Sequence, residues 1–218
     1  MFLKALEIQG FKSFPDKIKI TIEKGITAVV GPNGSGKSNI SDAIRWVLGE
    51  TSARQLRGGG KMENVIFGGT QTRGAMGFAF VRLYIDNTDR RIDVDADEVI
   101  IGRKYYRSGE SEYTINGQNV RLKDIYEMFL DTGIGRDGYS IISQGRIAEI
   151  VGAKSAERRE IFEEASGIAR FRYRKNEAEK RLDAAEENLV RLRDILGELE
   201  QRVGPLQKES EKAQRFVK

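Results

Sequence analysis

The chain of 218 residues contains no cysteine, no histidine, three prolines and one tryptophan. The lack of cysteine excludes a disulfide framework and a thiolate metal site, and the lack of histidine removes the most common general base and zinc ligand. No apolar run approaches the ~20 residues that a membrane-spanning helix needs. The N-terminal segment alternates apolar and polar residues and has no small-residue cleavage site, so we expect a cytoplasmic protein without a signal peptide or membrane partner.

Charged residues are spread unevenly along the chain. The 37 Lys and Arg against 33 Asp and Glu give a net charge of +4, which indicates a polyanionic partner only weakly. From residue 151 onward 30 of 68 residues are charged, and only four of the 24 glycines lie there. A change to charged, glycine-poor sequence is typical of the passage from a globular domain to a long helix.

The first 150 residues have the patterns of a domain built from strands and helices. Residues 2–9, 17–22 and 26–30 predict strands, and the continuous apolar run at 26–30 predicts a strand buried on both faces. An antiparallel set of strands is predicted at 78–86, 98–106, 111–116 and 118–122, with Asn116-Gly117 as a hairpin turn. Helices are predicted from the glycine-rich loop to Leu48 and over 122–131.

From Ile168 onward apolar residues recur at alternating steps of three and four. Thirteen of the 15 positions on this seam are apolar. The pattern is that of a coiled coil, since a helix packed on its own domain has a wider apolar stripe. Pro205 should kink or break the helix locally, because it lacks an N–H group. We therefore expect residues 1–166 to be globular and 167–218 to begin a coiled-coil arm whose partner strand lies elsewhere.

Residues 31–38 match the pattern G-x-x-x-x-G-K-[ST] between a predicted strand and a predicted helix, which is the context of a phosphate-binding loop. Its glycines let backbone N–H groups surround a phosphate, and the helix N-terminus adds positive potential. Lys37 is expected to bridge the β- and γ-phosphate oxygens, and the Ser38 hydroxyl to bind Mg²⁺. The Asn-Lys-x-Asp motif with which GTPases recognise the base does not occur, which favours ATP.

The acidic residues that nucleotide hydrolysis needs are not found in a recognisable motif. Leu83-Tyr84-Ile85-Asp86 lies among the antiparallel strands, so we reject it as the Walker B strand that holds Mg²⁺. Leu56-Arg57-Gly58-Gly59 is similar to the Leu-Ser-Gly-Gly signature of ABC-type ATPases, but it follows the phosphate-loop helix too closely for that role. The site is therefore incomplete within these residues.

Six segments together resemble the N-terminal half of the head of an SMC (structural maintenance of chromosomes) protein of the bacterial condensin type. The segments are Gly10–Phe14, Gly31–Asn39, Asp42–Glu50, Arg54–Gly58, Ser140–Gly145 and Arg158–Ile168. The resemblance covers essentially the whole chain. It implies an α/β fold, namely an ABC-type P-loop ATPase half-head with mixed and antiparallel sheet around the P-loop helix, continuing into a long coiled-coil helix.

The resemblance implies a role for individual residues. Lys12 and Ser13 would lie beside the sugar and phosphates of ATP. The residues that would hold the phosphates are Pro32, Asn33, Gly34, Ser35, Gly36, Lys37, Ser38 and Asn39. Gln144 would complete the Mg²⁺ coordination and sense the γ-phosphate, and Arg57 would be an arginine finger reaching nucleotide within a dimer. On the residues alone, Arg57 is a charge in a glycine-rich loop and Gln144 a loop amide.

The resemblance also implies partners and a function. In the family the signature motif, Walker B carboxylates and D-loop lie in a C-terminal half-head, so this chain is expected to be part of a longer protein and nearly inactive alone. Two heads would form a homodimer around ATP, hydrolyse it, and entrap or move DNA during chromosome condensation and partition. The protein would be nucleoid-associated, and a kleisin subunit would dock at the neck, where Tyr173 and Val190 are predicted to face outward.

Basic residues beside the phosphate loop are candidates for DNA binding. Lys61, Arg121 and Lys123, together with Arg54 and Arg73, form a predicted patch for sequence-independent, salt-sensitive contact with the DNA backbone. No base-reading element accompanies them, and scattered surface charge is the alternative interpretation.

Three other functions fit part of the sequence. The match to SMC heads at 140–145 and after Arg158 argues against a coiled-coil DNA-repair ATPase. A coiled-coil scaffold that uses ATP as a structural cofactor is compatible with intact Lys37 and Ser38, and the missing carboxylates favour it mildly. The nucleotide domain of an ABC transporter would not continue into seven heptads.

Overall fold

The computed structural model describes residues 1–56, 60–130, 132, 141–142, 146–152, 159 and 168–217. It divides into two compact units, Met1–Arg170 and Phe171–Lys218. The strands are β1 (Phe2–Gln9), β2 (Ile18–Thr21), β3 (Phe78–Asp86), β4 (Glu98–Tyr106), β5 (Ser111–Ile115) and β6 (Gln118–Val120). The helices are α1 (Lys37–Val47), α2 (Leu122–Phe129), α3 (Arg146–Gly152) and α4 (Ala169–Val217), with a 3₁₀ turn at Met62–Val65.

The six strands form one antiparallel sheet in the order β2-β1-β3-β4-β5-β6. Asn116 and Gly117 connect β5 to β6 with φ angles of 49° and 83°, which is the left-handed geometry that makes Asn-Gly a hairpin turn. The predicted class, a P-loop helix against sheet followed by a long helix, is confirmed. Every strand pair within the described residues is antiparallel, whereas a mixed sheet was predicted.

Helix α1 packs on one face of this sheet. Alternate residues of β3 point inward, so that Val81 and Leu83 are buried against Ala43 and Trp46 of α1. The Trp46 ring also meets the ring of Phe11, with centroids 5.3 Å apart. Burying a large apolar side chain contributes about 1.5–3 kcal/mol, so this contact fixes α1, and with it the loop at its N-terminus, against the sheet.

A buried arginine holds the other end of α1. Arg103 on β4 is 3% exposed, and its guanidinium lies 4.5 Å from the Trp46 ring and 4.9 Å from the Tyr113 ring. Its Nη1 donates to the backbone carbonyls of Trp46 and Glu50, both at 2.8 Å. Burial lowers the pKa of Arg103 from its ordinary value. The cation therefore adds a donor to the Glu50 carbonyl and to the Trp46 carbonyl, which also accepts the Gly49 N–H at 3.2 Å, at the negative end of the α1 dipole.

The predicted buried strand at 26–30 is not present. These residues belong to no strand, and the side chains of Ile26, Val29 and Val30 are 102%, 51% and 87% exposed. A continuous apolar run indicates that a segment is buried in its final environment, but burial needs a strand on either side. Within the described residues no strand pairs with this segment, so the prediction is wrong for this chain by itself.

Helix α4 continues through Pro205 from Ala169 to Val217, a length of 49 residues. Of the predicted kink or break at Pro205, the break is therefore wrong, because one proline removes a single backbone donor while the residues on both sides favour helix. Seam residues Leu182, Leu189 and Leu196 are 58%, 51% and 55% exposed. Among the described helices none is both long and apolar enough to cross a membrane.

The sheet face opposite α1 contains a buried carboxylate. Glu7 on β1 is 3% exposed, with the Lys17 ammonium 2.9 Å from Oε1 and the Tyr84 hydroxyl donating to Oε2 at 3.0 Å. Burial alone would raise the pKa of Glu7, but Lys17, Tyr84 and the nearby Arg82 guanidinium together hold it below its ordinary value of 4.5. A depressed pKa stabilises the fold above the unfolded-state pKa, and this contribution is lost as the pH falls through the folded-state pKa.

Replacing Glu7 by glutamine should therefore make the free energy of unfolding fall less steeply as the pH decreases. We expect Glu7→Gln to lower the free energy of unfolding by about 1–3 kcal/mol at pH 7, because the amide is a weaker acceptor. Between pH 7 and a pH well below the ordinary carboxyl pKa of 4.5, the wild type should lose more stability than the variant. Urea unfolding at both pH values measures this, and parallel losses in the two proteins would contradict it.

Candidate nucleotide-binding site

The loop before α1 depends on glycine at defined positions. Gly34 and Gly36 have φ angles of 85° and 90°, which side-chain-bearing residues rarely adopt. A Cβ atom at Gly36 would lie 2.7 Å from the Ser13 hydroxyl oxygen. Gly36 also ends the loop directly before the first turn of α1. A glycine-rich loop that leads into a helix N-terminus is the arrangement that binds phosphate.

Lys37 lies across this loop. Its ammonium donates to the carbonyl of Gly31 at 2.7 Å and to that of Pro32 at 2.6 Å, and both contacts are exposed. An exposed ammonium held only by neutral acceptors gains from exchanging them for phosphate oxygens, because charge-assisted hydrogen bonds are stronger. The loop glycines, the helix N-terminus and this cation therefore form a site that fits the phosphates of a nucleoside triphosphate.

Two other predicted residues lie beside the loop. The Asn39 side-chain amide donates to the Ser13 hydroxyl at 2.8 Å, and the same hydroxyl adjoins Gly36. Ser13 belongs to the connector between β1 and β2, while Asn39 is in the first turn of α1. The fold thus brings the connector to the phosphate loop, although the two segments are more than 20 residues apart in the chain.

Lys12 is paired with α1. Its ammonium lies 2.6 Å from Asp42 Oδ2 and also donates to the Leu56 carbonyl, and the Lys12 and Asp42 side chains are 11% and 5% exposed. Lys12 also lines an open cavity of about 430 Å³ that adjoins the loop through Asn39. The other lining residues are Glu63, Asn64, Ile66, Gly68 and Arg107. A polar cavity of this size is large enough for a small ligand.

Removing the Asp42 carboxylate should destabilise the protein. We expect Asp42→Asn to lower the free energy of unfolding by about 3 kcal/mol, because a mostly buried Lys12 ammonium loses its counter-ion. The control is Asp16→Asn, which removes the exposed Asp16–Arg73 pair and should change stability little. Urea unfolding of both variants tests this, and equal losses would show that burial of the Lys12–Asp42 pair has no energetic consequence.

Sequence reasoning missed a charged network after α1. Glu50 is fully buried, accepts from Arg45 at 3.2 Å and accepts the Ser52 backbone N–H at 2.7 Å. Arg45 also donates to the Gln55 side chain at 2.7 Å. These contacts fix the segment 50–56, which leads towards residue 57. No local sequence signal marks Glu50 as buried, because only the fold brings its partners together.

The remaining predicted residues are only partly located by the structure. Arg57 and Gln144 lie outside the described residues, so their roles stay predictions. Lys61, Arg121 and Lys123 are exposed, and Lys123 lies 3.6 Å from the Glu127 carboxylate. Arg54 is exposed, whereas Arg73 pairs with Asp16 at 2.6 Å. The predicted DNA patch therefore contains two cations that already have acidic partners.

Residues 2–146 match the family model described as the RecF/RecN/SMC N terminal domain, and the chain therefore belongs to this family. The chain is 55% identical to the chromosome partition protein Smc of Clostridium kluyveri over 218 residues, and the alignment covers 100% of this chain. The predicted resemblance to SMC heads is thus confirmed. The chain spans only 18% of that relative's length.

Solved SMC heads have the same fold. The Smc head domain of Pyrococcus furiosus, with an extended coiled coil and bound to the C-terminal domain of ScpA, matches with a TM-score of 0.73 at 40% identity. That match covers 87% of this chain and 48% of the other. A head from a study of ATP-driven dimerization and DNA-stimulated activation of SMC ATPases matches with a TM-score of 0.68 at 37% identity, covering 76% of this chain and 99% of that one.

Proposed function

We propose that this chain is the ATP-binding half of an SMC head, which dimerises around ATP, hydrolyses it and drives DNA entrapment or movement in chromosome condensation and segregation. The observation that carries the proposal is the phosphate loop, in which Lys37 lies over the carbonyls of Gly31 and Pro32 at the N-terminus of α1. Fixed cations and backbone N–H groups at such a site stabilise the charge of a transferring phosphoryl group.

In this proposal the residues around the loop bind different parts of the nucleotide. Lys37 binds the β- and γ-phosphates, and the Ser38 hydroxyl is a ligand of Mg²⁺. Ser13 and Asn39 stand between the loop and the cavity lined by Lys12, which is the place for the sugar. When bound, MgATP supplies the phosphoanhydride bond that is broken. Gln144 and Arg57 are proposed to complete the metal site and to act as the arginine finger.

A second part of the protein completes the head. The uncovered segment 26–30 runs directly into the phosphate loop, and its exposed side chains include Ile26 and Val30. We propose that a C-terminal half-head adds strands beside this segment, together with the signature motif and the metal-binding carboxylates. In this proposal residues 1–166 form the N-terminal half-head.

Residues 167–218 are proposed to begin the coiled-coil arm. The exposed seam of α4 needs an apolar partner helix, which the returning chain would supply. Val190, off the seam, is 57% exposed and available to a kleisin subunit, while Tyr173 is partly buried. The P. furiosus head is bound to ScpA, which supports a partner of this kind. The proposed DNA contacts are Lys61, Arg121 and Lys123.

Hydrogen exchange tests the completed head directly. Backbone amides of 26–30 should exchange freely in the chain alone and become protected when the C-terminal half is added, since new strand partners accept their hydrogen bonds. The peptide covering β3 is the internal control, because its amides are paired in both states. If segment 26–30 exchanges equally fast in a verified complex of the two halves, the half-head proposal is wrong.

A further inference from the structure

The sheet face opposite α1 carries aromatic and basic side chains in alternation. On β3, Phe80, Arg82 and Tyr84 point away from the core, because the residues between them, Val81 and Leu83, are buried against α1. The outward residues are partly exposed. We call this surface the outer sheet face. Its six central residues are Lys19, Phe80, Arg82, Tyr84, Lys104 and Tyr106.

Cations on this face lie over aromatic rings. The Lys19 ammonium is 4.2 Å from the Tyr84 ring centroid, and the Arg82 guanidinium is 4.9 Å from that of Phe80. The Lys104 ammonium is 4.7 Å from the Tyr106 centroid. These cation–ring contacts hold the side chains against the sheet and order them before any partner binds.

The three cations form no ion pair within the described residues, although the Glu7 carboxylate on the same face interacts electrostatically with Arg82. Among the described residues, the ion pairs on this side of the sheet are Lys17–Glu7 and Lys4–Glu98. No described carboxylate lies within 4 Å of the charged groups of Lys19, Arg82 or Lys104. Gly102, directly opposite Arg82 on β4, has no side chain, and the Thr114 hydroxyl of β5 occupies the space beside it.

We infer that the outer sheet face binds single-stranded nucleic acid. Phe80, Arg82 and Tyr84 are spaced about 7 Å apart along β3, given ~3.4 Å per residue in an antiparallel strand, and their planar groups offer successive stacking platforms. Lys19 and Lys104 flank this row on β2 and β4, where they meet phosphates. Duplex DNA keeps its bases stacked on each other, and an acidic peptide has no planar groups for the rings. A single strand of nucleic acid offers unstacked bases to the rings and phosphates to the cations.

The outer sheet face is separate from the phosphate loop and from the proposed duplex contacts at Lys61, Arg121 and Lys123. The loop precedes α1, which packs on the other side of the sheet. The inference therefore does not depend on ATP binding or on a second half-head, and it can fail while the proposed function stands.

Fluorescence anisotropy with the whole 218-residue chain, without nucleotide, tests the inference. The probes are labelled 12-mers of deoxythymidine and of uridine, and a 12-base-pair duplex, at about 50 mM salt. We expect saturable binding of one or both single strands, more tightly than of the duplex. Tyr84→Ala should weaken it at least fivefold, the lower end of what one stacking ring contributes. Tyr84→Phe keeps the ring and should keep the affinity, although it loses the hydroxyl that bonds to Glu7.

The salt dependence gives a second readout that does not require removal of a ring. Arg82→Gln combined with Lys104→Gln should reduce the slope of log affinity against log salt by about 1.4, since each phosphate contact on a single strand contributes about 0.7. Arg193→Gln combined with Lys208→Gln, both exposed on α4, is the charge-matched control. The inference is overturned if neither single strand binds, if the duplex binds as tightly, or if folded Tyr84→Ala and the double variant bind like wild type.

Discussion

Replacing Lys37 by alanine is expected to reduce ATP turnover by at least 100-fold in the head assembled with its C-terminal half. The Lys37 ammonium is the cation held over the phosphate loop, 2.6–2.7 Å from two backbone carbonyls. Removing one preorganised donor from the position of developing charge commonly costs about 10²–10³ in rate. Steady-state phosphate release measures the loss, and calorimetry of MgATP binding separates weaker binding from slower chemistry.

A matched lysine shows whether the effect of Lys37→Ala belongs to the site. Lys24 is exposed and lies before the uncovered segment 26–30, so Lys24→Ala removes the same charge outside the phosphate loop. It should leave turnover within about twofold of the wild type. If Lys37→Ala also stayed within about twofold, while the folded complex remained intact, the phosphate loop would not be the catalytic nucleotide site.

Replacing Arg103 by methionine is expected to lower the free energy of unfolding by about 3 kcal/mol. Methionine keeps much of the apolar volume between Trp46 and Tyr113, but the Glu50 carbonyl loses the Arg103 donor in a buried position, the Trp46 carbonyl keeps only the Gly49 N–H at 3.2 Å, and both cation–ring contacts are lost. Each unsatisfied buried acceptor costs about 1–3 kcal/mol. For a unit of this size the midpoint of thermal unfolding should fall by roughly 6–12 °C.

The control for Arg103→Met is the same change on the other face of the sheet. Arg82→Met removes a guanidinium that stacks on one partly exposed ring, so the loss should stay below about 1 kcal/mol. Arg103→Lys keeps the charge but loses the planar fork, and should fall between the two. Equal losses for Arg103→Met and Arg82→Met would show that the guanidinium at the end of α1 is not a structural anchor.

The sequence predicted the parts of the fold whose pattern is local. Apolar and polar residues alternate in β3 and β4, and this alternation indicates which side chains face α1. The positive φ angles at Gly34 and Gly36 are part of the loop motif itself. Both signals lie within a few neighbouring residues. They therefore gave the antiparallel strands and the phosphate loop nearly within their observed bounds.

The errors and omissions arose where the outcome depends on distant residues. Burial of 26–30 requires strands that the described residues do not contain. Arg103, Glu50 and Glu7 are charges whose burial becomes understandable only when their partners are brought together from other elements. Nothing in the local sequence distinguishes them from exposed charges. At Pro205 the local rule predicted a kink or a break, and the helix does not break there because the residues around it favour helix.

The most direct test of the central claim is ATP turnover by this chain mixed with its C-terminal half, compared with each half alone, with and without duplex DNA. We expect negligible turnover by either half and sustained turnover by the mixture. Turnover by the chain alone would contradict the claim that its catalytic groups are divided between two polypeptide segments. Tight ATP binding without turnover in a verified complex would contradict the ATPase and leave a scaffold that uses ATP as a structural cofactor.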